Sequence, residues 1–440
     1  MPYIVLLGTL DTKLHEILYL RSQLLEAFAQ CNSPVNKIVL IDCGRSQSAD
    51  RAEIDVRQED LIKDHAPRDG RTIGLSSMSR GEVVKFMSDC ATNYIRELWT
   101  RGSETEAGAT PHGIISAGGS GGTSLAAAAM RNAIPIGVPK SIVSTVASGD
   151  TGAVIGETEI TMMYSVVDIA GNNELLRKIL SNAAGAIVGM AAAYERRLAL
   201  SACKRDALIA RTRVGVTMFG VTTPCVDKVR EHLETQYDVE VFVFHATGHG
   251  GRAMERLVAQ GQLDAIIDIT TTEICDHLMG GNMSAGGTRV ETTLKAGIPT
   301  VISSGATDMV NFGPLDTIPE AYKGRKLFEH NPSVTLMRTT KEECQQVGQF
   351  IVDQIRHCSR SPDRVQIRLP KGGVSSMAVP GGAFADAGAD EELRETVKRG
   401  LLGTKVKVVE DERDINDSGF AIAAADSLMH MIMRGNKHGP

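Results

Sequence analysis

Apolar residues come along this chain in short blocks, and the blocks alternate between two periods. The first, Tyr3 to Gly8, is continuous and ends in glycine, which predicts a strand buried on both faces. Residues 12–30 follow with Leu14, Ile17, Leu18, Leu24 and Leu25 near one side, the spacing of an amphipathic helix. The alternation continues with a strand over 37–42, a helix over 81–101, a strand over 113–117, a helix over 125–130 and a short strand over 134–138. A series of this kind predicts parallel strands joined by right-handed crossovers. Residues 168–200 read as one long helix in which Ala183, Ala184, Ala186, Ala191, Ala192 and Ala193 permit close packing, either within the chain or against a second copy.

After a basic stretch over 204–213 the pattern restarts, because Arg213 to Gly220 repeats the opening logic of an apolar strand closed by glycine. The second series has strands over 239–244, 265–269 and 300–303, with helices over 225–236, 253–260 and 289–296. A strand over 333–336, a helix over 341–357 and a Gly/Pro-rich link over 369–382 come next. A helix over 390–399, a strand over 405–409 and a helix over 417–433 close the chain, and 434–440 read as disordered. The expectation is α/β: two Rossmann-like doubly wound domains with mostly parallel sheets, 1–204 and 205–440.

Composition narrows the function without naming it. At 440 residues with 42% hydrophobic content, 44 glycines and one Trp, the chain suits α/β architecture with close strand-to-helix turns. A formal charge of −6 gives no reason to expect nucleic acid or an anionic membrane as partner. The start of the chain lacks the pattern of a secretory signal, and no run approaches about 18 apolar residues, so no membrane span is expected. The eight cysteines, at 31, 43, 90, 203, 225, 275, 344 and 358, form no C-x-x-C pair, which points to reduced thiols in a cytoplasmic protein.

Chemistry is expected where strands end in small residues. Gly118-Gly119-Ser120-Gly121-Gly122-Thr123 lies between a strand and a helix, so its backbone N–H groups can receive a phosphate, with a tight structural turn as the alternative. Gly8-Thr9-Leu10-Asp11-Thr12-Lys13 follows the first strand. It offers Lys13 to a phosphate and Asp11 to a hydrated Mg²⁺, or simply caps the next helix. Asp42 ends the second strand, where it can accept from a ribose hydroxyl or cap a turn. Ser144-Thr145-Val146-Ala147-Ser148-Gly149-Asp150 is a fourth small-residue loop. Convergence of these loops at one sheet edge favours a phosphate-bearing ligand.

The second half has its own candidates. His245-Ala246-Thr247-Gly248-His249-Gly250-Gly251 follows a strand and precedes a helix, which makes it a second candidate anion loop with two imidazoles for proton transfer. Its glycines argue against a continuous helix, and hence against a metal pair of the H-x-x-x-H kind. Thr271 and Glu273 close another strand, with helix capping as the bland alternative. Arg289, behind the glycine-rich loop 280–287, can bind an anionic group bidentately. Asp308 follows the strand over 300–303. Together His245, His249, Glu273 and Asp308 are the expected catalytic groups, and Thr247, Gly250, Gly251, Thr271 and Arg289 the expected contacts to a small anionic substrate.

Gly8-Thr9-x-Asp11-Thr12-Lys13, Gly118 to Thr123 and Ser144 to Asp150 resemble the family of the ATP-binding inhibitor domain of the tomato mosaic virus resistance protein, which has standalone bacterial and fungal members. The likeness continues through residues 244–255, 268–273, 280–286, 308–313 and 330–332, so it covers nearly the whole chain. The resemblance implies two Rossmann-like domains, ATP in the first and a homodimer, and supplies no reaction. In the plant member the domain binds a viral replication protein, which implies a possible protein partner. The expected function is a Mg²⁺- and ATP-dependent small-molecule kinase or ligase acting on an organic or sugar acid. The alternatives are a nucleotide-gated binding module without turnover and, more remotely, a lyase or hydrolase using the second-domain histidines.

Overall fold

A computed structural model describes residues 3–30, 37–48, 52–67, 75–104, 110–204 and 211–436. They fall into two compact units, Met1–Leu208 and Ile209–Pro440. Most of the basic stretch over 204–213, Cys31 and the last four residues of the expected disordered end lie outside the described residues.

In the first unit the elements run β1 (Tyr3–Gly8), α1 (Leu10–Gln30), β2 (Lys37–Asp42), α2 (Gln58–His65), α3 (Arg80–Glu104), β3 (Gly113–Gly118), α4 (Ser120–Ala133), β4 (Lys140–Ser144), α5 (Gly152–Ile155), β5 (Ile160–Tyr164) and α6 (Glu174–Lys204). The five strands are parallel in the order β2-β1-β3-β4-β5. Alternation along β1 sends Val5 and Leu7 to one face, where Met87 and Ile95 of α3 and Leu125 and Met130 of α4 cover them. Ile4 and Leu6 go to the other face, against Ile17 and Leu24 of α1 and Leu180 and Ile187 of α6. Both faces are covered, which is why the strands read as continuous apolar runs; truncating one such leucine to alanine costs about 2–5 kcal/mol.

Three expectations for this unit are corrected. The strand expected over 134–138 lies instead at Lys140–Ser144: Pro135 and Gly137, whose φ is +91°, break the apolar run. A charged residue hides the true start, because Lys140 is buried and satisfies its ammonium on the carbonyls of Pro135 and Val138 and on Glu159. The long helix begins at Glu174 and not at Asp168, its first turn capped by Asn173, which accepts from the Leu176 N–H at 2.9 Å. Of the alanines of this helix, Ala183, Ala184 and Ala191 pack within the unit's own core, Ala192 is half-buried, and Ala186 and Ala193 are exposed. By length and composition Glu174–Leu200 is apolar enough to cross a membrane, although no segment was expected to be; its Leu176, Leu180, Ile187 and Val188 are buried in that same core.

The second unit runs β6 (Thr212–Met218), α7 (Thr223–Gln236), β7 (Val239–His245), α8 (His249–Ala259), β8 (Ala265–Thr270), α9 (Thr272–Met279), α10 (Glu291–Ala296), β9 (Thr300–Gly305), β10 (Met309–Phe312), β11 (Leu327–Asn331), β12 (Val334–Arg338), α11 (Lys341–Cys358), β13 (Val365–Pro370), α12 (Ala387–Gly400), β14 (Lys407–Asp411) and α13 (Ser418–Asn436). Its six-stranded parallel sheet has the order β14-β13-β9-β8-β6-β7, and a small antiparallel sheet, β10-β12-β11, is inserted after β9. Helices α7 and α13 cover one face of the large sheet, and α9 to α12 the other. Strand β13 escapes the apolar pattern because Gln366 and Arg368 alternate with Val365, Ile367 and Leu369; Arg368 is buried there by pairing with Asp411 at 2.7 Å.

Both units are therefore doubly wound and Rossmann-like. Each order has one point where the chain's direction of progress across the sheet reverses, between β1 and β3 in the first unit and between β6 and β8 in the second. At such a point the two βα loops diverge and leave a crevice above the carboxyl ends of the strands.

Candidate functional site

The reversal point of the first unit opens into a cleft of about 640 Å³. Its floor is the end of β1 and the start of α4: Thr9, Asp11, Thr12 and Lys13 on one side, Gly119, Ser120, Gly121 and Gly122 on the other, with Thr145 from the loop after β4. Helix α4 starts after Gly119 with no side chain capping it, so among the described residues its first N–H groups find no side-chain acceptor. A Cβ on Gly121 would come no nearer than 3.6 Å to Val84 and 3.8 Å to Arg80, so glycine there keeps space open and is not forced by packing. Gly118 differs: a Cβ would lie 3.2 Å from the Cα of Gly122, so its bareness lets β3 pass under the helix.

Several expected site residues serve the framework of this cleft and do not line it. Asp42 is buried and caps the chain's own amides, accepting from the N–H of Leu10 at 3.2 Å and of Gly44 at 2.9 Å; it is not presented to a ribose. Burial pushes its carboxyl up to about 6, against those two hydrogen bonds. Thr123 and Ser144 are buried and bonded to each other at 2.7 Å, which ties the start of α4 to the end of β4. Gly8 abuts Leu10 and Ile17. Asp150 accepts from the Gly152 N–H at 2.8 Å, and the cleft lining includes neither it nor Ser148 and Gly149. Asp11 does line the cleft, yet its Oδ2 accepts from the N–H groups of Arg45 and Ser46, at 2.9 and 3.3 Å, and so fixes the loop after β2.

Other lining residues escaped the sequence reading: Arg45, Arg80, Val83, Val84, Leu125 and Asp168. The signal for Arg80 was present as a reciprocal cap, since Ser79 Oγ accepts from the Glu82 N–H while Glu82 accepts from the Ser79 N–H, placing Arg80 in the first turn of α3. Among the described residues Lys13 and Arg80 have no side-chain partner, whereas Arg45 spends one guanidinium nitrogen on the carbonyls of Leu75, Ser76 and Met78. The cleft thus combines uncapped helix N–H groups, two uncommitted cations and an apolar wall from α3 and α4. That combination suits a ligand with an anionic and an apolar end.

In the second unit the corresponding glycine-rich loop follows the edge strand β7 and is filled by the chain. Helix α8 starts after Gly248, whose φ is +86°, and the N–H groups of Gly248 and Gly251 donate to Glu273 Oε1 at 2.7 and 3.0 Å. The chain's own carboxylate fills the anion position. Glu273 Oε2 accepts from Arg289 Nε at 2.7 Å, and Arg289 also pairs with both oxygens of Asp268, at 2.7 and 2.8 Å, and with Glu255 at 3.2 Å. Arg289, Asp268 and Glu273 are buried, and burial pushes the Glu255 carboxyl up. A Cβ on Gly251 would lie 2.0 Å from Glu273 Oε2, and one on Gly250 1.8 Å from the His245 carbonyl, so these glycines exist for close packing.

The expected substrate constellation is corrected accordingly. Arg289 and Glu273 satisfy each other and do not grip a substrate, and Gly250 and Gly251 are packing positions. Thr271 is buried and donates to the Ser303 carbonyl at 3.0 Å. Asp308 is buried, accepts from Ser375 Oγ at 2.7 Å, and is pushed up to about 7 by burial, against the nearby Arg338. His245 and His249 are exposed and Thr247 half-buried. His245 sets its ring edge-on to Phe219 at 5.5 Å, His249 Nδ1 lies 3.1 Å from Arg252, and Thr247 Oγ1 donates to the His245 carbonyl at 3.3 Å. The structure does not gather the expected acid–base groups around one accessible point.

Topology and cleft together define a two-unit, Rossmann-like α/β protein whose first unit is open at its reversal point. Residues 2–196 match the N-terminal domain, and residues 211–432 the C-terminal domain, of the uncharacterised protein family UPF0261, and the chain belongs to that family. A UPF0261 protein of Clostridium tetani is 41% identical over 98% of both chains. The ToMV resistance protein Tm-1(GCR237) of Solanum lycopersicum is 38% identical over 98% of this chain, which spans 56% of the tomato protein. Among solved structures, the UDP-GlcNAc 2-epimerase of Neisseria meningitidis is 7% identical over 69% of this chain and 82% of its own, with a TM-score of 0.21, too slight a likeness to bear on function.

Proposed function

We propose that the first unit binds ATP with Mg²⁺ in the cleft between β1 and β3, and that the protein uses the nucleotide for phosphoryl transfer to, or ligation of, a small organic or sugar acid. The observation that carries the reading is the uncapped start of α4 in one cleft with Lys13 and Arg80, neither of which has a side-chain partner among the described residues. Helix N–H groups and mobile cations take the phosphates, while Val83, Val84 and Leu125 offer apolar surface to a base. The donor set fits the nucleotide, and the aspartates and hydroxyls along the cleft fit a hydrated Mg²⁺, which takes one or two carboxylates beside phosphate oxygens and water. Chemistry of this kind rests on positioning and charge neutralisation and asks for no strong nucleophile from the chain.

A second reading, a nucleotide-gated binding module without turnover, gains support from the second unit, where Glu273 is buried in an ion pair with Arg289 and Asp308 is buried against Ser375. A screen with ATP, MgCl₂ and a panel of small carboxylic and sugar acids separates the two. Binding alone stabilises the protein by about 2.7 kcal/mol at a hundred times the dissociation constant. ADP or phosphate release dependent on one acid selects the enzyme, and binding without turnover selects the gate.

The cleft assignment is tested with Gly121→Val. Because a Cβ there meets nothing closer than 3.6 Å, the variant is expected to fold normally and lose at least a hundredfold in ATP affinity by filling the phosphate position. Unchanged ATP affinity in calorimetry sinks the assignment.

A further inference from the structure

We infer that Asp168, and not Asp11, is the carboxylate that holds a divalent cation against the phosphates of a ligand in the first unit's cleft. The inference rests on the nucleotide reading of that cleft and adds the residue that couples nucleotide to metal. Asp11 and Asp168 are the carboxylates on the cleft's lining. They differ in what the protein asks of them. Asp11 Oδ2 accepts from two backbone N–H groups, of Arg45 and Ser46, and lies 3.5 Å from Ser46 Oγ. A Cβ on Gly44 would lie 2.8 Å from the same carboxylate, so Asp11 is packed as well as bonded. Turning it toward a metal would release the loop after β2. Asp168 is exposed, and among the described residues no group is bonded to its carboxylate.

The chain takes a costly path to place Asp168 there. Strand β5 ends at Tyr164, and the Ser165 N–H still donates to the Ser144 carbonyl at 3.1 Å. The backbone then folds tightly about Val166, whose φ is +62°: the Val167 N–H donates to the Ser165 carbonyl at 2.6 Å, and Ser165 Oγ donates to the Val167 carbonyl, also at 2.6 Å. A β-branched residue is disfavoured in that left-handed region, and the turn leaves Val166 57% exposed. Its consequence is the return of the chain at Asp168 to the cleft wall that also carries Thr145. Strain of this kind at a ligand cleft is retained where the position of the next residues matters.

Charge completes the argument. Lys13 and Arg80 are the uncommitted cations of the cleft, and a triphosphate carries more negative charge than they neutralise. A divalent ion with one side-chain carboxylate, water and phosphate oxygens supplies the rest. Asp168 without such an ion repels the ligand's phosphates; with it, the same carboxylate becomes an attraction. Its signature is therefore a split between metal-free and metal-loaded binding.

The test titrates ATP into the wild type and into Asp168→Asn, Asp11→Asn and Gly121→Val, each in excess EDTA and in MgCl₂, with circular dichroism to confirm folding. Asp168→Asn is expected to bind ATP in EDTA at least as tightly as the wild type and to lose roughly tenfold or more of the gain given by Mg²⁺. Asp11→Asn is expected to keep that gain as a ratio while melting at a lower temperature, because a neutral amide oxygen holds the N–H groups of Arg45 and Ser46 more weakly than the carboxylate does. A full Mg²⁺ gain in Asp168→Asn overturns the inference and leaves the nucleotide cleft standing. Equal weakening in EDTA and MgCl₂ assigns Asp168 to the nucleotide itself and also overturns it. Undiminished binding by Gly121→Val removes the cleft and the inference together.

Discussion

Helices α4 and α8 both begin directly after a parallel strand and both are preceded by glycine, α4 after β3 at the reversal point of its sheet and α8 after the edge strand β7. Helix α4 starts uncapped over a cleft of about 640 Å³. The loop entering α8 gives the N–H groups of Gly248 and Gly251 to Glu273, whose carboxylate is itself locked onto Arg289. A glycine-rich strand-to-helix turn thus presents N–H groups in either case, and the two differ in whether the chain itself supplies an acceptor. In the second unit the carboxylate comes from the chain and the receptor becomes a structural joint. Glycines that read alike in sequence do different work: Gly121 leaves room beside Val84 and Arg80, whereas Gly251 makes room for Glu273 and Arg289.

The comparison is broken most severely by removing the internal anion. Glu273→Ala leaves the Arg289 guanidinium buried beside Asp268 and Glu255 with one partner lost, and leaves two N–H groups without an acceptor. A cost of about 3–5 kcal/mol is expected for breaking a buried pair in this way. Denaturant unfolding followed by a probe in the second unit measures it, and a loss below about 1 kcal/mol would show that the joint carries little. Lys13→Ala acts on the other unit and on affinity only. Calorimetry with ATP should show weakening on the order of tenfold, about 1.4 kcal/mol, with an unchanged melting temperature. An unfolded Lys13→Ala protein would mean that Lys13 is structural, and the contrast between the units would fail.

The smallest effect concerns pH. Asp308 in the second unit is raised from 3.8 to about 7 because burial penalises its ionised form. A carboxyl raised in the folded state binds more protons folded than unfolded between those values, so its contribution to stability is greatest below about pH 4 and is lost as pH rises to about 7. Asn at this position can still accept from Ser375 and carries no charge. Asp308→Asn should therefore gain melting temperature relative to wild type on going from pH 5 to pH 8. Parallel melting curves for the two proteins across that range would contradict the sign.

Much of the fold was legible because both faces of both sheets are covered, which makes strands such as β1, β3 and β8 continuous apolar runs ended by small or hydroxyl residues. The pattern failed where a charged side chain is buried with a partner distant in sequence. Lys140 hid the start of β4 because Glu159 is 19 residues away, and Arg368 hid β13 because Asp411 is 43 residues away. The cleft was legible on its glycine side, at Gly119 to Gly122 and at Thr9 to Lys13. Its α3 side was not, since Arg80, Val83 and Val84 read as ordinary residues of an amphipathic helix. Asp168 was absorbed into the helix expected after it.

By itself the sequence determined most of the parallel strands and their helices, though not β5, β13 or the small sheet's β10 and β11, and that they alternate in two series, because these depend on local spacing. Only the tertiary structure decided which glycine loop stays open. That choice is made by residues far along the chain: Glu273 and Arg289 reach the start of α8 across 22 and more residues, whereas no side chain caps the start of α4. A buried charge must find its partner wherever the fold brings one, and sequence spacing carries no record of that distance.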